Sequence, residues 1–225
     1  MKTWCFPKEA SGEYVCRMED VLNQYARPLD PHEPLVCMDE ASRQLIGQVT
    51  APEPLRHGQP RREDYEYVRN GTCNLFMFCQ PLAGWRHVQV TERRTKRDWA
   101  HAIRNLVDVQ FPEARRIRVV LDNLNTHTGA SLYEAFTPTE ARRLLDKLEF
   151  HYTPKHASWL NMAEIEIGIL SRQCLNRRID NRDVITREVA AWEAERNQRQ
   201  AKIHWTFTTA IARHKLAKLY PPIED

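Results

Sequence analysis

Apolar runs along the chain predict five short strands. They fall at residues 35–39, 74–81, 85–90, 117–121 and 148–152. Segments 74–81 and 85–90 are joined by Leu82-Ala83-Gly84 and predict a hairpin. The run Val119-Val120-Leu121 lacks polar alternation, which is typical of a central strand buried on both faces.

Helical spacing of apolar residues alternates with these strands. Helices are predicted at 96–110, 159–178, 187–200 and 207–219, with one or two more within 129–148, broken near Pro138. The order of strands and helices predicts a mixed α/β fold in which helices cover both faces of the sheet.

Two segments lack such patterns. Residues 1–34 are polar, contain four prolines and predict an irregular linker or lead-in, with a short helix between Glu19 and Tyr25. A stretch rich in Pro and Arg at 52–62 predicts a loop. The predicted division is therefore a lead-in at 1–34 and one α/β domain at 35–225.

Composition narrows the class of protein. The chain has 225 residues, 42% of them hydrophobic, and a net charge of only +3, so a core of normal size is expected and charge alone is a weak sign of nucleic-acid binding. None of the six cysteines forms a C-x-x-C pair, and reduced thiols are expected. Without an apolar run of roughly 18 residues or a signal peptide, we expect a soluble cytoplasmic protein without a membrane segment.

Two predicted strands end in an aspartate. Asp39 follows Val36-Cys37-Met38, and Asp122 follows Val119-Val120-Leu121. Ligands collect at the carboxyl ends of strands in open α/β sheets. If the two strands are parallel neighbours, both carboxylates lie at one rim. Either aspartate alone also fits the start of a turn.

A third acid comes from the predicted helix at 159–178. At 100° per residue, Glu164 falls at the edge of the apolar stripe and Glu166 on the far side. The wheel therefore predicts that Glu164 is directed towards the sheet. A boundary acid paired with an arginine is the alternative interpretation of Glu164.

Three convergent carboxylates repel one another, and a hard divalent cation relieves that repulsion. Mg²⁺ prefers oxygen ligands and leaves positions open for phosphate and water. Two such ions suit phosphodiester cleavage. Asp39, Asp122 and Glu164 therefore predict a site for two Mg²⁺ ions, or Mn²⁺ in their place, acting on nucleic acid.

The motifs around these acids resemble a known family. Val36-Cys37-Met38-Asp39-Glu40, Leu121-Asp122-Asn123-Leu124-Asn125-Thr126-His127 and Trp159-Leu160-Asn161-Met162-Ala163-Glu164 are similar to the acid-bearing motifs of the mariner-like bacterial insertion-sequence transposases called the IS six-thirty group. Asp64-Tyr65-Glu66-Tyr67, Leu82-Ala83-Gly84-Trp85-Arg86 and Tyr152-Thr153-Pro154-Lys155-His156 extend the resemblance over residues 4–220.

The resemblance implies a ribonuclease-H-like fold and a metal triad of Asp39, Asp122 and Glu164. It also implies cut-and-paste DNA transposition: cleavage of double-stranded transposon ends, then strand transfer into target DNA, usually at a TA dinucleotide. A homodimer on DNA is implied as well. Family members carry helix-turn-helix modules, which residues 1–34 are too short to form. Either this chain is a fragment, or a separate helix-turn-helix region supplies end recognition.

Four further residues are candidates for DNA contact. In similar enzymes Asn123 and His127 stand near the active site, where they touch phosphate or orient a ligand; a turn Asn and a surface His are the alternatives. Lys155 and Trp159 precede the glutamate helix and fit a phosphate contact and a base-stacking contact. A packing role is the other interpretation of Trp159.

Three hypotheses of function follow. The first is a transposase catalytic domain that cleaves DNA strands and transfers them. The second is a non-catalytic relative, truncated or domesticated, that binds DNA or a partner chain. The third is another two-metal nuclease of the same fold that performs no strand transfer.

Overall fold

The computed structural model describes residues 7, 9–50, 58 and 65–222. Within these, five strands form: β1 (Leu35–Gln48), β2 (Tyr67–Gln80), β3 (Trp85–Thr91), β4 (Ile117–Leu121) and β5 (Leu148–Tyr152). The α-helices are α1 (Gly12–Ala26), α2 (Lys96–Asn105), α3 (Gly129–Ala135), α4 (Pro138–Asp146), α5 (Met162–Gln173), α6 (Arg182–Gln198) and α7 (Thr209–Lys215). A π-helical turn at Leu106–Gln110 extends α2, and short 3₁₀ turns occur at Ser158–Leu160 and Ala217–Leu219.

The strands form one mixed sheet in the order β3-β2-β1-β4-β5. β2 is antiparallel to both β1 and β3, while β4 is parallel to β1 and to β5. The predicted hairpin is confirmed as β2 and β3. All five residues of β4 are buried, which confirms the central strand and explains its lack of polar alternation.

Helices cover both faces of this sheet, as predicted. Strand alternation sends Leu35 and Cys37 of β1 into one apolar cluster and Val36 and Met38 into another. The first cluster, here called the α5 face, also contains side chains of α1, α5, α6 and α7. The second, here called the α2 face, contains side chains of α2, α3 and α4.

Helix α1 corrects the expectation of an irregular lead-in. It begins at the N-cap Ser11, whose hydroxyl accepts the Tyr14 amide, and it is longer than the predicted segment Glu19–Tyr25. Met18 and Val21 are fully buried on the α5 face. The prolines that flank this helix made residues 1–34 resemble an irregular segment. The domain boundary at residue 34 stays a prediction.

The predicted loop at 52–62 lies outside the described residues, apart from Gly58. No helix in the described part of the chain is long and apolar enough to cross a membrane.

Candidate active site

Strand pairing brings Asp39 and Asp122 to one rim of the sheet. Cys37 of β1 stands opposite Val120 of β4, where the parallel pairing of these strands ends. Asp39 and Asp122 each lie two residues further on. β1 does not end at Asp39, as the apolar run suggested, because it continues to Gln48 as the antiparallel partner of β2. The two strands are parallel neighbours, so the condition for bringing both carboxylates to one rim is met.

Asn161 fixes the start of α5 against this rim. Its side-chain oxygen accepts the Ala163 amide at 3.1 Å and caps the helix. Its side-chain nitrogen donates to the carbonyl of Met38 at 2.8 Å, one residue before Asp39. This pair of bonds places Glu164, in the first turn of α5, beside the end of the parallel pairing.

The helical wheel was wrong about which glutamate is turned inward. Glu166 is fully buried, whereas Glu164 is exposed. Arg86 and Arg196 pair with Glu166 and satisfy its charge. Because these arginines lie far away in sequence, the local pattern of α5 could not reveal them.

Asp39 responds electrostatically to both of the other acids. Its pKa is raised to about 7, mainly by burial and also by the negative charges of Glu164 and Asp122, while the Glu40 backbone hydrogen bond and the positive charge of His127 act to lower it. Asp39 therefore carries a carboxylate whose negative charge is poorly compensated at neutral pH.

His127 links the second aspartate to another acid. Its Nδ1 lies 2.6 Å from an oxygen of Asp122 and its Nε2 lies 2.9 Å from an oxygen of Glu40. Burial acts to lower the pKa of His127, but the hydrogen bonds and charges of Asp122 and Glu40 raise it to about 9. At neutral pH the imidazolium therefore donates to both carboxylates. The ring also stacks on Trp99, with centroids 5.7 Å apart.

The same histidine sets the charge state of Asp122. Burial acts to raise the pKa of Asp122, but the hydrogen bond and positive charge of His127 outweigh it, and the net pKa is lowered. Glu40 was not singled out in the sequence. The available signal was its position directly after Asp39. Neighbouring residues of a strand face opposite sides of the sheet, and Glu40 lies on the side of His127.

The sequence model of one protein family matches the part of the chain that carries these acids. The model, described as DDE superfamily endonuclease, matches residues 34–186, which include β1, β4 and α5. The chain belongs to the DDE superfamily endonucleases. No curated protein matches it.

Solved structures place the fold of this DDE endonuclease. It is similar to the Mos1 mariner paired-end complex with Mn, with a TM-score of 0.55 and 17% identity over 89% of this chain and 62% of that one. A Mos1 transposase paired-end complex with the left transposon end has a TM-score of 0.57 and 16% identity, over 89% of this chain and 62% of that one. A pre-cleavage Mos1 transpososome has a TM-score of 0.58 and 13% identity, over 100% of this chain and 68% of that one. The predicted ribonuclease-H-like fold is confirmed. This chain spans about 62% of the length of the first two Mos1 chains.

The other candidate residues of the DDE endonuclease occupy different surroundings. The Asn123 side chain donates to the carbonyl of Thr153 at 2.9 Å, tying the segment after β4 to the segment after β5. Lys155 is exposed, and together with Asn123 it lines a cleft of about 500 Å³. Trp159 is half-buried and packs edge-on against Phe207, with centroids 5.5 Å apart. His127 has no exposed surface, which favours orienting a ligand over touching phosphate.

The acids suit a hard divalent cation by their chemistry. Asp39, Asp122 and Glu164 offer only carboxylate oxygens, and the raised pKa of Asp39 marks negative charge that a cation would compensate. Among the described residues, no group of three His, Cys, Asp or Glu side chains stands close enough to hold a metal ion. Mg²⁺ bound by one or two carboxylates takes its remaining ligands from water and phosphate, so the residues present fit it.

Proposed function

We propose that this DDE endonuclease is the catalytic domain of a DNA transposase, with Asp39, Asp122 and Glu164 as its catalytic acids. The observation that carries the proposal is that the negative charges of Asp122 and Glu164 act on the buried Asp39 at the rim where the parallel pairing of β1 and β4 ends. The likeness to Mos1 complexes described with Mn, with Mg and with a transposon end supports the same interpretation.

The proposed cofactor is Mg²⁺, or Mn²⁺ as its substitute, with two ions per site held by the three acids. Bound there, the ions would lower the barrier to attack on a phosphodiester and compensate charge on the leaving oxygen. The chain supplies the oxygen ligands and the fixed geometry. Asp39 has to be deprotonated to serve as a ligand, which at a pKa of about 7 is only partly the case in neutral buffer without metal.

His127 acts as a positioning residue in this proposal. With a pKa of about 9 it is already protonated at neutral pH, so it is not available to accept a proton. Its two N–H groups instead hold Asp122 and Glu40 in place. Partners that orient a metal ligand typically matter for metal affinity and activity.

The proposed substrate is double-stranded DNA, cut at transposon ends and joined to a target, with TA as the target dinucleotide. Asn123 and Lys155 line the cleft beside Asp122, and Lys155 is positioned for a phosphate contact. Trp159 packs on Phe207 and leaves only part of its ring for a base. A homodimer on DNA and a separate helix-turn-helix region for end recognition complete the proposal.

Cleavage of supercoiled plasmid DNA in MnCl₂ tests the activity. We expect the parent chain to nick the plasmid and the Asp122→Asn variant to be slower by more than roughly a hundredfold, because loss of a metal ligand exceeds the effect of losing its supporting partner. Equal rates for parent and variant would contradict the proposal. Glu134→Gln is the control and should nick like the parent. Glu134 is an exposed acid of α3 that pairs with Lys96 of α2.

Strand transfer needs a second assay. An oligonucleotide duplex with a free 3′-hydroxyl, incubated with the plasmid and MnCl₂, should become covalently joined to it. Nicking without joining would favour a nuclease of the same fold that performs no transfer.

A further inference from the structure

A buried cluster of charges holds the inward side of α5. One carboxylate oxygen of Glu166 accepts from Arg86 at 3.3 Å and from Arg196 at 3.0 Å. Glu166 is 0% exposed and Arg86 is 1% exposed. Isolated buried charges are strongly unfavourable, so the contact ties three elements together: α5, β3 and α6.

Arg86 is itself held rigidly by the end of α6 and the segment that follows. The Asn197 side chain accepts the Arg86 amide at 2.8 Å and donates to the Arg86 carbonyl at 2.7 Å. The guanidinium also donates to the carbonyls of Gly84 and Ala201. Arg86 therefore has little freedom to follow α5 if that helix turns.

The turn before Arg86 is packed tightly against the same segment. Gly84 has a φ of +76°, and a Cβ there would lie 2.5 Å from the carbonyl group of Gln200. Only glycine fits such a position. The motif Leu82-Ala83-Gly84-Trp85-Arg86, which the sequence marked without giving it a role, thus builds the partner of Glu166.

Glu164 and Glu166 are two positions apart, which corresponds to about 200° around a helix. When Glu166 is drawn inward to its arginines, Glu164 is directed outward to the rim that holds Asp39. Asn161 fixes only the first turn of α5. A second contact one turn further along removes the remaining freedom of rotation.

We propose that Glu166 is a positioning residue for the catalytic acid Glu164, acting through its buried ion pairs with Arg86 and Arg196. The inference rests on the proposed function, because Glu164 is a catalytic residue only there. An apolar side chain at position 166 would pack in several orientations, whereas a carboxylate between two guanidinium groups requires one. Buried polar contacts serve such specificity in some proteins.

Glu166→Gln in the full chain tests the inference, since it keeps the shape and removes the charge. We expect the MnCl₂ concentration for half-maximal plasmid nicking to rise roughly tenfold to a hundredfold, with the affinity for plasmid DNA unchanged. Hydrogen–deuterium exchange without metal should show faster exchange of the amides of α5. Arg196→Gln, at a less buried partner, should show the same changes to a smaller extent and serves if Glu166→Gln does not fold.

Leu144→Ala is the matched control, because Leu144 is fully buried in α4 on the other face of the sheet. It should lower the melting temperature and leave both the half-maximal MnCl₂ concentration and the exchange of α5 unchanged. If Glu166→Gln also only lowers the melting temperature, without changing the half-maximal MnCl₂ concentration or the exchange of α5, the role of Glu166 is purely structural and the inference is overturned. If the parent does not nick DNA, the proposed function fails, and unchanged α5 exchange in Glu166→Gln would separately overturn the inference.

Discussion

The two sides of α5 place glutamates in opposite electrostatic surroundings. Glu166 lies between two guanidinium groups in the interior. Glu164 lies at the rim, where its negative charge and that of Asp122 add to the burial that raises the pKa of Asp39. The fold thus compensates the charge of Glu166 with two arginines and leaves the charge of Asp39 poorly compensated. That difference can be tested on both sides of the helix.

The largest expected effect is on the rim. Asp39→Asn should raise the free energy of unfolding in EDTA at pH 8 by up to about 4 kcal/mol, because it removes a carboxylate whose pKa rises from 3.8 to about 7 on folding. The same variant should not nick plasmid DNA. Urea denaturation measures the gain, with the exposed Asp146→Asn as control. A loss of stability would mean that burial and the neighbouring charges do not disfavour the Asp39 carboxylate.

An effect of similar size and opposite sign is expected on the buried side. Glu166→Gln leaves Arg86 buried without a counter-charge and should reduce the free energy of unfolding by about 3–5 kcal/mol. Glu164→Gln at the exposed rim should change it by less than about 0.5 kcal/mol. Urea denaturation of the two variants side by side measures the difference between their unfolding free energies. Equal losses of stability would contradict the expected contrast between the two glutamates.

His127 makes the rim sensitive to alkaline pH. Its pKa is raised on folding from 6.5 to about 9, so its contribution to stability is fully present below pH 6.5 and is lost as the pH rises through about 9. The loss should reach about 3 kcal/mol. His127→Gln should lack this part of the pH dependence between pH 7 and 10. Parallel curves for parent and variant would show that the imidazolium is not held by Asp122 and Glu40.

The smallest effect concerns the start of α5. Asn161→Ala removes a helix cap and the bond to the Met38 carbonyl, and should cost about 1–2 kcal/mol of unfolding free energy. Asn181→Ala removes the cap of α6 without such a cross-link and is the matched control for stability. Only Asn161→Ala should also slow plasmid nicking. Slowing in both variants would mean that capping alone accounts for it.

Much of the fold could be predicted because strands and helices have distinct apolar periods. The β2–β3 hairpin and the buried β4 were visible as apolar runs bounded by turns or acids. The parallel pairing of β1 with β4 was a condition that only the structure could test. Helix α1 was underestimated because polar residues separate its buried positions. The burial of those positions depends on contacts with β5, α7 and the 3₁₀ turn at Ser158–Leu160. The assignment of Asp39, Asp122 and Glu164 as catalytic residues stays a prediction.

By itself, the sequence determined which acids follow the apolar runs in β1 and β4, since apolar runs and the acids after them are local features. Only the tertiary structure decided how the two glutamates of α5 are used. A helical wheel ranks positions by the apolarity of their neighbours, and α5 has apolar residues around much of its circumference. The inward position of Glu166 depends instead on Arg86 and Arg196, two charges supplied by β3 and α6 once the chain has folded.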